Sequence, residues 1–212
     1  MNFFSVDGKL YKFMQGLLNV FKINLLWIIC SLPIVTFGAA TIAAFDVTMK
    51  MVDDEEGYVA RQFFKAFKSN LKKGIPLGLF SVVCAYIVWL NFSLFEQIEG
   101  NPILLLIMGM IAAFVFTLSF IYAFPLQARY ENTIVKTLQN SLNISLRYFG
   151  RTLLTIVILA VEILIIFWNS TTLFIGIIIG PACMIYTVSG CAKFIFRELE
   201  KEPGAVSNPE QR

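Results

Sequence analysis

The sequence contains no histidine, and only 15% of its 212 residues are charged. The absence of imidazole excludes histidine metal sites, histidine general bases and the usual neutral-pH switch. The charged fraction lies well below the roughly 25% typical of soluble domains, while 58% of the residues are hydrophobic. Together, these properties indicate an integral membrane protein with no separate soluble domain.

Reactive and charged groups are also scarce. The four cysteines, Cys30, Cys84, Cys183 and Cys191, lie in apolar segments without CxxC spacing, and we interpret them as small buried hydrophobic residues. The net charge of +3 is too small to indicate a nucleic-acid partner. Because no phosphate-binding glycine motif, serine nucleophile elbow or metal-ligand spacing occurs, the sequence predicts no enzyme activity, metal or cofactor.

Long uncharged runs are the dominant positive feature. A membrane-spanning helix needs about 20 apolar residues, and the last run is long enough for two crossings, interrupted only by the polar residues 169–172. We therefore predict an all-α, polytopic helical bundle. Residues 1–200 form its single membrane domain, and residues 201–212 form a polar, disordered cytoplasmic tail. The five predicted hydrophobic segments are 23–45, 74–95, 100–128, 152–168 and 173–192.

Lysine and arginine are unevenly distributed between these segments. The short connections 96–99 and 169–172 contain none, whereas 46–73, 129–151 and 193–212 contain six, four and four. Cytoplasmic loops near membrane ends are enriched in these residues. The pattern predicts a multi-pass protein of the plasma membrane with a cytoplasmic C-terminus.

The first hydrophobic segment contains a candidate structural break at Pro33 and Gly38. Proline removes a backbone donor, and glycine adopts conformations that other residues avoid. One interpretation is a kinked single pass with the N-terminus outside, which we favour. The alternative is a re-entrant helix pair with the N-terminus inside, which would place all 17 Lys and Arg residues in the cytoplasm.

Two stretches have the periodicity of amphipathic surface helices, 9–22 and 58–73. In the second, basic side chains alternate with aromatic rings, so we expect it to lie along the inner membrane surface. Residues 132–151 follow a similar plan, which indicates parallel repeats at 58–128 and 132–192. The candidate partner contacts on the 58–73 helix are Phe63, Phe64, Phe67 and Lys68.

Glu162 is the only charged residue inside a predicted membrane helix. Its insertion costs roughly 2.5 kcal/mol or more, so it should face the bundle interior, a polar cavity or a partner. Ion-coupled transport generally uses more than one such residue. We therefore favour a protonated, hydrogen-bonded packing or partner contact over a transport role.

Several N-terminal motifs resemble the YesL family of small Gram-positive membrane proteins, also catalogued as a domain of unknown function. The resemblance covers nearly the whole chain in length and segment order. Its specific part consists of NLLW at 24–27, SLPIVTFGA at 31–39, DEEGY at 54–58 and FFKAFKSN at 63–70.

The resemblance implies a link to carbohydrate uptake, because family members are commonly encoded beside ABC sugar importers. We therefore expect a non-enzymatic accessory subunit of an oligosaccharide ABC import system. Its expected partners are the lipid bilayer, the permease subunits and further copies of itself. The alternatives are a small stand-alone transporter or channel and a membrane scaffold or sensor that regulates sugar utilisation.

Overall fold

The computed structural model describes residues 9–55, 57–98 and 102–201. These residues form eight α-helices and one 3-10 turn, with no strand in the described part, which confirms the all-α prediction. The predicted tail lies outside the described residues except for Lys201. The helices are α1 Lys9–Ser31, α2 Phe37–Val52, α3 Val59–Gln97, α4 Ile103–Phe120, α5 Ala123–Arg129, α6 Ile134–Arg147, α7 Phe149–Ile166 and α8 Ser170–Leu199, and the 3-10 turn is Ile34–Thr36.

Among the described residues, six helical stretches are long and apolar enough to cross a membrane. The architecture is that of a multi-pass helical membrane protein. The number exceeds the predicted five because the predicted segment 23–45 contributes to two helices. The six stretches are Leu10–Ser31, Ile34–Val52, Val59–Gln97, Ile103–Arg129, Phe149–Ile166 and Ser170–Leu199.

Helices α1 and α2 form an antiparallel hairpin. The indole Nε1 of Trp27 donates to Thr41 Oγ1 at 3.1 Å, and its ring packs edge-on against Phe37 at 5.9 Å. In one continuous helix, residues 27 and 41 would be about 21 Å apart. The favoured kinked pass was therefore wrong, and the alternative of a helix pair describes this segment. Pro33 lies at the reversal in an extended conformation.

The tip of the hairpin lies beside the middle of α3. It exposes Leu32, Ile34 and Val35, which are 75%, 66% and 50% accessible. Gly38, just after the tip, contacts α3 at Gly74 and Gly78. Because the two helices are antiparallel, the hairpin begins and ends on the same side of the bundle.

Gly38 has a different role from the predicted break. It lies inside α2, and a Cβ atom built on it would be 2.1 Å from the Gly74 carbonyl oxygen. A Cβ atom on Gly78 would be 2.6 Å from Gly38 Cα. The glycines therefore allow two helix backbones to touch, as small residues do in membrane helix pairs. Only Pro33 of the two candidates lies at the reversal.

Helix α3 is continuous over 39 residues, or about 58 Å at 1.5 Å per residue. The predicted separate surface helix at 58–73 was wrong, since this stretch is the first half of α3. One buried stripe runs from Val59 to Ser81, across the boundary between the predicted surface helix and the apolar run, and Pro76 is accommodated inside the helix. The buried residues are Val59, Phe63, Ala66, Asn70, Gly74, Leu77, Gly78 and Ser81.

In the second half of the chain, the amphipathic helix and the apolar helix that follows it are separate. The amphipathic α6 is separated from α7 at Tyr148, whereas the corresponding segment 58–73 is continuous with the rest of α3. The Ser145 hydroxyl donates to the Leu118 carbonyl at 2.7 Å, which joins α6 to the end of α4. The predicted repeat therefore stays a prediction.

The turn between α7 and α8 lies at the predicted polar interruption. Asn169 Oδ1 accepts from the backbone N–H groups of Thr171 and Thr172, each at 2.9 Å, and caps α8. The Asn169 N–H donates to Thr172 Oγ1 at 3.0 Å, which completes a capping box. Asn169 therefore begins a helix as well as ending a loop.

Helix α8 contains Pro181, and Asn24 of α1 fills the resulting gap in its hydrogen bonding. Proline cannot donate to the carbonyl four residues earlier, here that of Ile177. Asn24 Nδ2 donates to the carbonyls of Ile177 at 3.0 Å and Ile178 at 2.6 Å. Its Oδ1 accepts from Ala182 N–H at 3.1 Å. The buried asparagine side chain thus stands in for the missing backbone donor.

Candidate functional site

The C-terminal end of α8 meets the end of α2 in a charged cluster. Asp53, which follows α2, pairs with Lys193 and Arg197. Lys193 is only 4% exposed and also donates to the Met49 carbonyl at 2.7 Å. A buried ammonium requires such partners, because unpaired it would carry a large desolvation cost. The cluster therefore joins α2 to α8.

Two further ion pairs lie at the same end of the bundle. Arg151 pairs with Glu198, and Arg129 makes a two-pronged contact with Glu200 at 3.0 Å for each hydrogen bond. The Tyr130 hydroxyl donates to Glu200 at 2.7 Å. Burial, followed by this carboxylate contact, raises the pKa of Tyr130 above its ordinary value. The phenol therefore stays protonated and remains a hydrogen-bond donor at neutral pH.

The first half of α3 carries exposed cations that differ from those above in their lack of an ion-pair partner among the described residues. Four exposed residues, Arg61, Lys65, Lys68 and Lys72, recur every three or four positions and form what we call the basic strip. Within the described part of the chain, none of them takes part in an ion pair, in contrast to Arg129, Arg151, Lys193 and Arg197. The strip is thus the candidate site for an external, negatively charged partner.

The predicted aromatic contacts divide between the core and the surface. Phe63 is fully buried in the hydrophobic core, so its assignment as a partner contact needs correction. Phe67 stacks on Phe63 at 6.4 Å and is partly buried. Phe64 is 43% exposed and Lys68 is exposed beside it. The accessible part of the predicted surface therefore consists of Phe64 and Lys68.

Glu162 faces the neighbouring helix. Thr187 Oγ1 of α8 donates to Glu162 Oε1 at 2.6 Å. Its other oxygen, Oε2, is buried without a hydrogen-bond partner in the described structure. Among the described residues, no group of three or more His, Cys, Asp or Glu could hold a metal ion. Within the described residues, Glu162 therefore has one hydrogen-bonded and one unpartnered carboxyl oxygen, and it belongs to no metal-binding group.

Sequence reasoning missed the residues that make the closest contacts between helices. An asparagine inside an apolar run, such as Asn24, must find partners because an unpaired buried amide is costly. The Gly-x-x-x-Gly spacing of Gly74 and Gly78 is a second local signal. These signals identify residues that need a partner, but they do not say which partner.

The helices define a multi-pass membrane protein in which several ion pairs join the end of α8 to its neighbours. Residues 20–92 match the family model described as "Protein of unknown function, DUF624". A DUF624 domain is therefore present over the second half of α1, all of α2 and most of α3, including the basic strip. No curated protein and no solved structure matched the chain significantly.

Proposed function

We propose that this protein is a non-enzymatic accessory subunit of an oligosaccharide ABC importer in the plasma membrane. The observation that carries the proposal is the exposed basic strip, which makes no ion pair within the described residues and lies on a helix whose other side is buried in the core. The sequence resemblance described above supports the connection with carbohydrate uptake. In this proposal, the strip and Phe64 contact an acidic surface of the permease subunits.

The same proposal places the charged end of the bundle and the C-terminus in the cytoplasm. The paired cations of α7 and α8 lie at one end, and positive residues favour the cytoplasmic side. A phosphatase reporter that is active only after export should stay inactive when fused after Arg212. The same reporter inserted after Gln97, at the opposite end of α3, should be active. Activity after Arg212 would reverse the orientation.

Docking through the basic strip is tested by reversing its charge. We expect the triple substitution Arg61→Glu, Lys65→Glu and Lys68→Glu to reduce recovery of permease subunits with the tagged protein by about tenfold, which corresponds to about 1.4 kcal/mol. Charge reversal turns attraction into repulsion without changing the buried face of α3. Recovery is measured after solubilisation in mild detergent, with protein amounts matched.

Lys136→Glu is the matched control, because Lys136 is an exposed cation on α6 outside the strip. Phe64→Ala tests the aromatic contribution alone, since replacing Phe67 as well would remove its stacking on Phe63. Unchanged permease recovery with the triple variant would exclude the strip as the docking site. Failure of the unmodified protein to recover any permease subunit would exclude the accessory-subunit proposal.

A stand-alone transporter is the second candidate, favoured by the buried and unpartnered Oε2 of Glu162. Sugar flux into liposomes that contain only this protein would support it, provided that Glu162→Gln reduces the flux. If the protein alone produces no flux and recovers no permease subunit, a membrane scaffold or sensor is the remaining function.

A further inference from the structure

A cavity of about 350 Å³ lies between α3 and α4. Its walls include Phe80 and Ile87 of α3 and Val115 and Phe116 of α4, and Leu138 of α6 also contributes. Phe80, Ile87 and Val115 are exposed at the bundle surface, so the cavity opens sideways. Its volume falls within the roughly 300–1,000 Å³ of typical ligand pockets. The walls suit an apolar ligand that enters from the surrounding lipid.

Two cations lie on α3 beside this cavity. Lys73 precedes Phe80 by seven residues, which places it two helical turns earlier, on the same face and about 10 Å away along the axis. Lys72 is exposed next to it. They are the last charged residues before the uncharged run 74–95. This is the position at which a helix passes from the lipid headgroups into the hydrocarbon layer.

We propose that this cavity binds an acyl chain of an anionic phospholipid whose phosphate contacts Lys72 and Lys73. The apolar walls match the chain, and the two ammonium groups match the negative headgroup. The cations and the cavity follow each other along one helix, in the same order as the headgroup and the acyl chain of a phospholipid. This site shares Lys72 with the basic strip, but Arg61, Lys65 and Lys68 take no part in it. Lipid retention is measured on the protein alone, so the proposal does not depend on the proposed function.

The test uses full-length protein in nanodiscs that contain equal amounts of phosphatidylglycerol and phosphatidylcholine. After transfer into mild detergent, native mass spectrometry should show one retained phospholipid, predominantly phosphatidylglycerol. The double substitution Lys72→Gln and Lys73→Gln should reduce that preference by about tenfold, since each cation attracts anionic lipid. Equal retention of both lipids by the unmodified protein would overturn the assignment of the headgroup site.

Ala112→Phe tests the cavity itself, because Ala112 lines it. The added ring should fill the space and abolish retention of the phospholipid. Ala160→Phe on the exposed surface of α7 is the matched control and should retain it. Equal retention by the two variants would show annular lipid only and overturn the proposal. Loss of a protein partner with unchanged lipid would instead assign the cavity to a partner helix and also overturn it.

Discussion

Replacing Gly78 with leucine is expected to separate α2 from α3 and prevent recovery of folded protein. Even the Cβ atom of alanine at this position would lie 2.6 Å from both Gly38 Cα and Gly38 N. These are backbone atoms, which cannot change rotamer to make room. We therefore expect Gly78→Ala to lower the free energy of unfolding by about 1–3 kcal/mol, and the leucine variant to lower it further.

The measurement is unfolding of the detergent-solubilised protein by SDS titration, with size-exclusion chromatography to detect aggregation. Gly190→Ala is the matched control, because it lies in α8 and a Cβ atom there would meet nothing within 4 Å. Alanine in this helix should leave stability unchanged or raise it by about 0.5–1 kcal/mol. If Gly78→Ala is as stable as Gly190→Ala, the two backbones do not touch as described.

The second large effect is expected at Asn24. Its leucine variant removes the two donors to the Ile177 and Ile178 carbonyls and the acceptor for Ala182 N–H. A buried polar group left without a partner costs about 1–3 kcal/mol. We therefore expect Asn24→Leu to lower the free energy of unfolding by at least this amount. The loss is measured in the same SDS titration.

A double-mutant cycle with Pro181 tests the reason for that loss. Pro181→Ala restores a backbone donor for the Ile177 carbonyl, so α8 can complete its own hydrogen bonding. Asn24→Leu should then cost less in the Pro181→Ala protein than in the unmodified protein. Equal costs in both backgrounds would show that Asn24 does not compensate for Pro181.

Membrane insertion and the C-terminal hairpin were predictable because their signals are local. Uncharged runs of sufficient length predict membrane helices wherever they occur. Asn169 lies between two such runs, and its side chain caps the helix that follows it. Neither inference depends on which other helix lies nearby, and the structure confirms the helices and the capped turn between them.

The first hydrophobic segment was predicted less well, because a proline fits a kink and a reversal equally. Pro33 interrupts a helix in either case. The contact of Trp27 with Thr41 and Phe37 decides in favour of the reversal, and it joins residues that are distant along the chain. Gly38 was misassigned for a related reason, since glycine serves both flexible turns and close helix contacts.

The sequence by itself determined the all-α membrane class, the apolar segments and the alternation of basic and aromatic residues on α3. Only the tertiary structure decided that Phe63 belongs to the core while Phe64 remains exposed, because periodicity defines the faces of a helix without showing which face a neighbour covers. It also decided that Lys193 is paired whereas Lys68 is free for a partner within the described structure. The physical reason is that pairing requires two groups to meet in space, and the partner Asp53 lies on a different helix end, far away in sequence.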